Sequence, residues 1–152
     1  IAQLACLYHR SQGMFSRLIE LETLQELREI FKGGTSVYWL THYVFGQPSP
    51  SHPKTLSQSS IDLLIINTVV PFLYAYGKHK GEEQLCNRAS QLLEDLKPEN
   101  NYITRMWEEC GLKAAHAGDS QALIQLKKNY CDSKKCLYCR IGYEYFKKEQ
   151  KE

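Results

Sequence analysis

Long apolar runs are scarce in this sequence. The main apolar stretch, Leu63 to Tyr76, has 14 residues and includes Asn67, Thr68 and Pro71, against the ~20 apolar residues that span a bilayer. No membrane segment is therefore expected. The phosphate-cradling G-x-x-x-x-G-K-[ST] loop, the zinc-protease H-E-x-x-H and the nucleophile elbow G-x-S-x-G are all missing, so nucleotide-hydrolysing, metalloprotease and serine-hydrolase chemistry has no support. There is no internal repeat and no low-complexity segment. The opening residues, "IAQLACLYHRSQGMF", have neither an initiator Met nor the basic-then-apolar order of a signal peptide, and the chain is expected to continue a longer protein.

What is present fits one soluble domain over residues 1–152. With 152 residues, 43% of them hydrophobic and 24% charged, folding can bury roughly two thirds of the unfolded surface. Such a core needs no covalent staple, so the six cysteines are read as reduced thiols in a cytoplasmic protein rather than as three disulfides.

Helical periodicity dominates. Ile1, Leu4, Ala5 and Tyr8 fall on one helix face, Gly13 separates them from "MFSRLIELETLQELREIFK", and Gly33-Gly34 supplies a stop. The stretch "SVYWLTHYVFG" mixes strand-forming residue types with helical spacing of Tyr38, His42 and Phe45; with no partner strand visible, a helix is expected. "QPSPSHPKTLSQSS" holds three prolines and five serines in 14 residues and reads as an irregular loop. Ser59 or Ser60 then caps "IDLLIINTVVPFLYAYGKHKG", a helix apolar on nearly every face and so expected to be fully surrounded, bent at Pro71. Further helices follow in "EEQLCNRASQLLEDL", ended at Lys97-Pro98, in "NYITRMWEECG", and in "GDSQALIQLKKNYC" with Asp119 or Ser120 as cap. Leu137, Ile141 and Tyr145 at four-residue steps give a last one. The fold class is all-α, an irregular bundle of about seven helices.

Chemistry gathers at the C-terminus. "NYCDSKKCLYCRIG" puts Cys131, Cys136 and Cys139 into nine positions, a spacing that zinc or an iron–sulfur cluster uses, with Cys110, His116 or Asp132 available as a fourth ligand. Inert thiols packed against Leu126, Leu137 and Ile141 are the alternative, and redox activity a third. Although the net charge of +2 argues for nothing, residues 127–152 carry eight basic against four acidic side chains. Lys127, Lys128, Lys134, Lys135 and Arg140 are the candidate phosphate contacts.

The aromatic run Tyr38, Trp39, His42, Tyr43 and Phe45 has the composition of a base-stacking platform, but no Lys or Arg lies between Lys32 and Lys54, so core packing is expected. Asp119 reads as a helix cap rather than a catalytic carboxylate. Asn67, Gln121 and Gln125 read as buried polar groups that fix helix docking.

Two resemblances add to this. "DSQALIQLKKNYCDSKKCLYCRI" resembles the end of helix-hairpin-helix DNA glycosylases, which close on a four-cysteine iron–sulfur loop after an Asp-led helix. Here the first gap is shorter, Tyr145 stands where the last cysteine is expected, and no glycine-rich hairpin or catalytic Lys/Asp pair precedes it. Over nearly the whole chain, "IAQLACLYHRSQGMFSRLIE", "YWLTHYVFG", "IINTVVPFLYAYGK" and "DSQALIQLKKNYCDSKKCLYCRIG" resemble the C-terminal part of an uncharacterised bacterial family, found mainly in Bacteroidetes, whose function is unknown. That resemblance implies a missing N-terminal half similar to the restriction-endonuclease-like fold, carrying its own metal-binding carboxylates. It makes this segment a non-catalytic helical accessory domain in nucleic-acid processing, with the N-terminal half and nucleic acid as partners. A structural or protein-interaction domain is the alternative, and a glycosylase-like remnant a more distant one.

Overall fold

The computed structural model describes residues 2–10 and 13–149, with side chains through Lys147. The fold is all-α, and strand is confined, among the described residues, to one small antiparallel hairpin. Its packing gathers into two compact units, Ile1–Leu92 and Leu93–Glu152.

The first unit begins with α1 (Ala2–Arg10), α2 (Met14–Glu20) and α3 (Leu24–Phe31). The long periodic run breaks between α2 and α3 because Thr23 offers a new start. Its hydroxyl accepts from Glu26 N at 3.2 Å while the Glu26 carboxylate accepts from Thr23 N at 2.9 Å, a reciprocal cap that satisfies two otherwise orphaned amides. The Thr23 hydroxyl, which also donates to that carboxylate at 2.7 Å, and then the Thr23 amide hold the Glu26 carboxyl below the usual carboxylate range. Their contribution is therefore present at neutral pH and is lost as pH falls through that lowered value. The helix stops at Phe31 as expected, but Lys32 simply leaves it in extended form. Neither Gly33 nor Gly34 adopts a left-handed conformation; the Arg10 guanidinium occupies the space a Cβ on Gly33 would need.

Residues 36–48 depart from the expected helix. Only α4 (Val37–Leu40) is helical; β1 (His42–Val44) and β2 (Gln47–Pro48) then pair antiparallel around Gly46, whose φ of 72° is left-handed. Glycine reaches that region at no steric cost, and it closes a hairpin that helical spacing alone does not reveal.

After the loop, Ser57 rather than Ser59 or Ser60 caps α5 (Gln58–Leu64), accepting from Ser60 N at 3.2 Å. Asp62 is thereby moved past the first turn and forms a two-pronged pair with Arg28 of α3, at 2.8 and 3.0 Å. A π turn, Ile65–Val69, follows and runs into α6 (Val70–Lys80). The wide turn answers Pro71, which has no amide hydrogen and crowds the preceding turn; Val70 N bonds to Ile65 O, five residues back. The helix is not surrounded. Ile61, Ile65, Ile66, Val69, Val70, Leu73 and Gly77 are buried, whereas Leu63, Asn67 and Tyr74 are exposed. Asn67 bonds the Leu63 carbonyl of its own helix at 3.0 Å and docks nothing. Gln58–Lys80 is 23 residues long and, by length and composition only, apolar enough to cross a membrane. The uncharged run of 14 residues thus understates it.

Gly81, with φ 73°, ends α6, and Glu82 N returns to Gly77 O at 2.8 Å, a left-handed cap that turns the chain into α7 (Glu83–Asp95). α7 buries Leu85, Cys86, Ala89 and Leu92, and its Arg88 donates to the Leu18 and Ile19 carbonyls at the end of α2. The second unit holds α8 (Tyr102–Glu109), α9 (Ala117–Leu126), a second π turn (Lys127–Cys131), a 3-10 turn (Cys136–Tyr138) and α10 (Arg140–Glu149).

Close approach of α6 and α7 requires that residue 77 have no side chain: a Cβ there would lie 2.9 Å from both Cys86 Sγ and Glu82 O. Gly77→Ala is expected to cost about 1–3 kcal/mol, the usual penalty of overpacking, and to lower the melting temperature by several degrees. An unchanged melting curve would contradict this packing.

Candidate functional site

In the second unit, Asn101 caps α8, accepting from Ile103 N and Thr104 N at 3.0 and 3.1 Å. Trp107 donates its indole N–H to Leu123 O of α9 at 3.1 Å. The cap of α9 is neither Asp119 nor Ser120 but His116. Its Nδ1 faces Asp119 N at 3.4 Å, and the Asp119 carboxylate accepts from Ala115 N at 2.9 Å. Asp119, expected as the cap, lies instead in the first turn of the helix. Ser120 is fully buried; its oxygen accepts from Glu99 N and donates to Ala117 O. Gln121 donates to Glu99, linking α9 to the segment before α8.

The cysteine stretch leaves α9 through the π turn. Asp132 N bonds to Lys127 O at 2.9 Å, and the Lys127 ammonium pairs with the Asp132 carboxylate, so one pair of residues closes the five-residue step twice. Lys134 takes a left-handed backbone, φ 52°, and Lys135 N reaches Tyr130 O at 2.9 Å. This reversal carries the chain back past α9. A Cβ on Gly142 would overlap the Cys136 carbonyl, so only glycine lets the start of α10 lie on the 3-10 turn.

The outcome is that Cys131, Cys136 and Cys139 share the wall of one cavity of about 170 Å³, with Trp107, Leu126, Tyr130 and Ile141. All six cysteines are free. Inert packing beside Leu126, Leu137 and Ile141, the alternative to a metal site, would bury at least two of the three thiols, whereas only Cys139 is buried and Leu137 is exposed. Burial first, then the neighbouring Cys139 and Cys136, pushes the Cys131 thiol up. Among the described residues no three His, Cys, Asp or Glu side chains form a group that holds a metal ion. Two fourth-ligand candidates are engaged, His116 in capping α9 and Asp132 with Lys127, while Cys110 is exposed at the end of α8. As it stands the site does not fit zinc or an iron–sulfur cluster without further closure of the turn.

The basic residues divide in two. Lys127 is tied to Asp132 and Arg140 to Glu144, at 2.8 Å for the latter. Lys128, Lys134 and Lys135 are exposed and have no carboxylate partner among the described residues. Around them lies the last helix that the four-residue spacing predicts, formed from Arg140 on. Its spacing residues Leu137, Ile141 and Tyr145 are exposed, as are Tyr138 at 84% and Tyr143. Lys147 stands over the Tyr143 ring at 5.9 Å. The signal was the interleaving itself: "KKCLYCRIGYEYFKK" alternates rings with cations.

If the three thiols share one environment, Cys136→Ser with Cys139→Ser should let Cys131 be alkylated at a lower pH than in the wild-type protein. Two neighbours opposing its ionisation are then gone while burial stays. Mass spectrometry of the alkylated peptide across pH reads this, and an unchanged profile would mean that the thiols do not sense one another.

No match was found among curated proteins or among solved structures. A family model described as a protein of unknown function (DUF2851) matches residues 1–102, two thirds of the chain, and leaves the cysteine and lysine stretch outside it. The chain belongs to this family of unknown function.

Proposed function

We propose that this chain is a non-catalytic helical accessory domain of a cytoplasmic bacterial protein that processes nucleic acid, and that its C-terminal unit holds single-stranded polynucleotide. One observation carries the reading: Lys128, Lys134 and Lys135, free of carboxylates, stand in the same segment as the exposed rings of Tyr138 and Tyr143. Phosphates released from counterions by lysines give affinity, and bases stacked on aromatic faces give a preference for unpaired strands. A missing N-terminal half would supply any chemistry. The rival, a structural or protein-interaction domain, needs no lysines without partners beside exposed rings.

Titration of labelled single- and double-stranded oligonucleotides at low and moderate salt separates the two. Single strands should bind more tightly. Changing Lys128, Lys134 and Lys135 to Gln should flatten the salt dependence by about two, at ~0.7 per neutralised phosphate. Tyr138→Ala with Tyr143→Ala should weaken binding at every salt concentration with the slope intact. Failure to bind at low salt removes the proposal.

A second reading is favoured by the cavity wall that the three thiols share. Closing of the 132–139 turn would bring Cys131, Cys136 and Cys139 round a zinc ion or an iron–sulfur cluster. Protein purified without oxygen and without chelators should then contain metal that Cys136→Ser loses, together with a drop in melting temperature. Metal-free wild-type protein rules it out.

A further inference from the structure

The aromatic run near residue 40 was expected in the core, and it is not there. Tyr43 and Phe45 are 67% and 80% exposed, yet the cluster is ordered by its own contacts. Tyr38 stacks on His42 at 4.0 Å with the rings 8° from parallel, Trp39 meets Phe45 edge-on at 4.9 Å, and the Tyr38 hydroxyl accepts from Gly46 N at 3.0 Å. Trp39, His42, Tyr43 and Phe45 form one wall of an open groove of about 770 Å³ within the first unit, lined also by His52, Lys54 and Thr35. That size is in the range of small-molecule sites.

Its charge is one-sided. Lys54, missing from the sequence neighbourhood of the rings, is brought to them by the Pro/Ser loop: its ammonium lies 3.7 Å from the centre of the Tyr43 ring and donates to His42 O at 2.6 Å. On the other side of Trp39 a smaller cavity, about 440 Å³, shares Ala2, Ala5, Thr35 and Trp39 with the groove and adds His9 and Arg10. Among the described residues no Asp or Glu lines either space. The ring nitrogens add direction. His42 Nδ1 lies 2.9 Å from Tyr38 O and His52 Nδ1 2.7 Å from Pro53 O. A carbonyl only accepts, so Nδ1 carries the hydrogen in each and Nε2 is left as an acceptor for an N–H edge. The Thr35 hydroxyl oxygen is buried where the two spaces share a wall and has no hydrogen-bond partner among the described residues.

We propose that this groove binds a nucleotide: a planar base with N–H donors against Trp39 and Tyr43, its phosphate between Lys54 and Arg10. Aromatic faces alone accept any apolar ring, and cations alone accept any anion. Both together, with imidazole acceptors and no carboxylate, select a ring that carries phosphate. The nucleotide has two sources, a free mononucleotide or one residue of a single strand. The site does not depend on the C-terminal lysines.

The two tryptophans make the test internal, since Trp39 lies in the groove and Trp107 is in the other unit. In nitrogen-15-labelled full chain, the indole N–H resonance of Trp39, identified by Trp39→Phe, should shift and saturate with adenosine 5′-monophosphate or with a short single-stranded oligonucleotide, whereas that of Trp107 stays with the mononucleotide. Whichever of the two saturates at lower concentration names the source. Lys54→Gln should weaken the mononucleotide about tenfold and leave adenosine unchanged, Tyr43→Leu should weaken both, and Lys134→Gln with Lys135→Gln should weaken neither. The proposal is overturned if Trp39 is silent to both ligands at millimolar concentration, if inorganic phosphate alone reproduces the shift, or if Lys54→Gln changes nothing.

Discussion

Proline at position 71 removes one amide hydrogen from the middle of the longest helical run, and the first unit is arranged around the remedy. Ile61, Ile65, Val69, Leu73 and Gly77 are buried at four-residue steps. In an unbroken α-helix each such step drifts by about 40°, so the five positions would spread over about 160° of the circumference. The π turn at Ile65–Val69 inserts one residue and takes the drift back, which keeps the set on one side. Everything packed there depends on it. α3 holds α5 through Arg28 and Asp62, α7 closes on Gly77, and Phe15 of α2 meets the Phe72 ring edge-on at 4.7 Å. The second unit repeats the device without a proline. There Lys127 and Asp132, five residues apart, are bonded through both backbone and side chains.

Among the described residues Phe31 is the one buried aromatic side chain. The buried set is aliphatic, led by Leu27, Ile61, Ile65, Val69, Leu73 and Leu96. Besides the Phe15–Phe72–Tyr76 cluster of α2 and α6, where Lys80 faces Tyr76, the rings collect on two surfaces, the hairpin near residue 40 and the segment 138–146, and in each a lysine faces a ring: Lys54 over Tyr43 and Lys147 over Tyr143. Exposed rings beside cations are poor at stabilising a fold and well suited to holding flat, anionic ligands. The two surfaces belong to different units, and only the first lies within the family match.

Helices were legible in the sequence because caps and periodicity act locally. The Lys97-Pro98 stop was read in this way, whereas the equally local cap of Thr23 and Glu26, which splits the run from Met14 into α2 and α3, was passed over. The hairpin at residues 42–48 was hidden because its stabilising partners, Tyr38 with Gly46 and Lys54 with the His42 carbonyl, are formed between segments. The spacing of Leu137, Ile141 and Tyr145 announced the last helix, but periodicity reports which side chains share a face, not whether anything covers it, and all three are exposed. The cysteines show the same limit: their spacing brought them to one cavity, while the ligand set that a metal needs depended on His116 and Asp132, which caps and ion pairs had claimed.

The account rests on the claim that both aromatic surfaces take bases, and photocrosslinking tests it without altering the protein. A brominated single-stranded oligonucleotide bound at low salt and irradiated should leave its crosslinks on Tyr138 or Tyr143 in the tail and on Trp39 or Tyr43 in the hairpin. Peptides of α7 to α9 should be unmodified. Crosslinks confined to other peptides, or none at all under conditions in which a known single-strand binder is labelled, would contradict it.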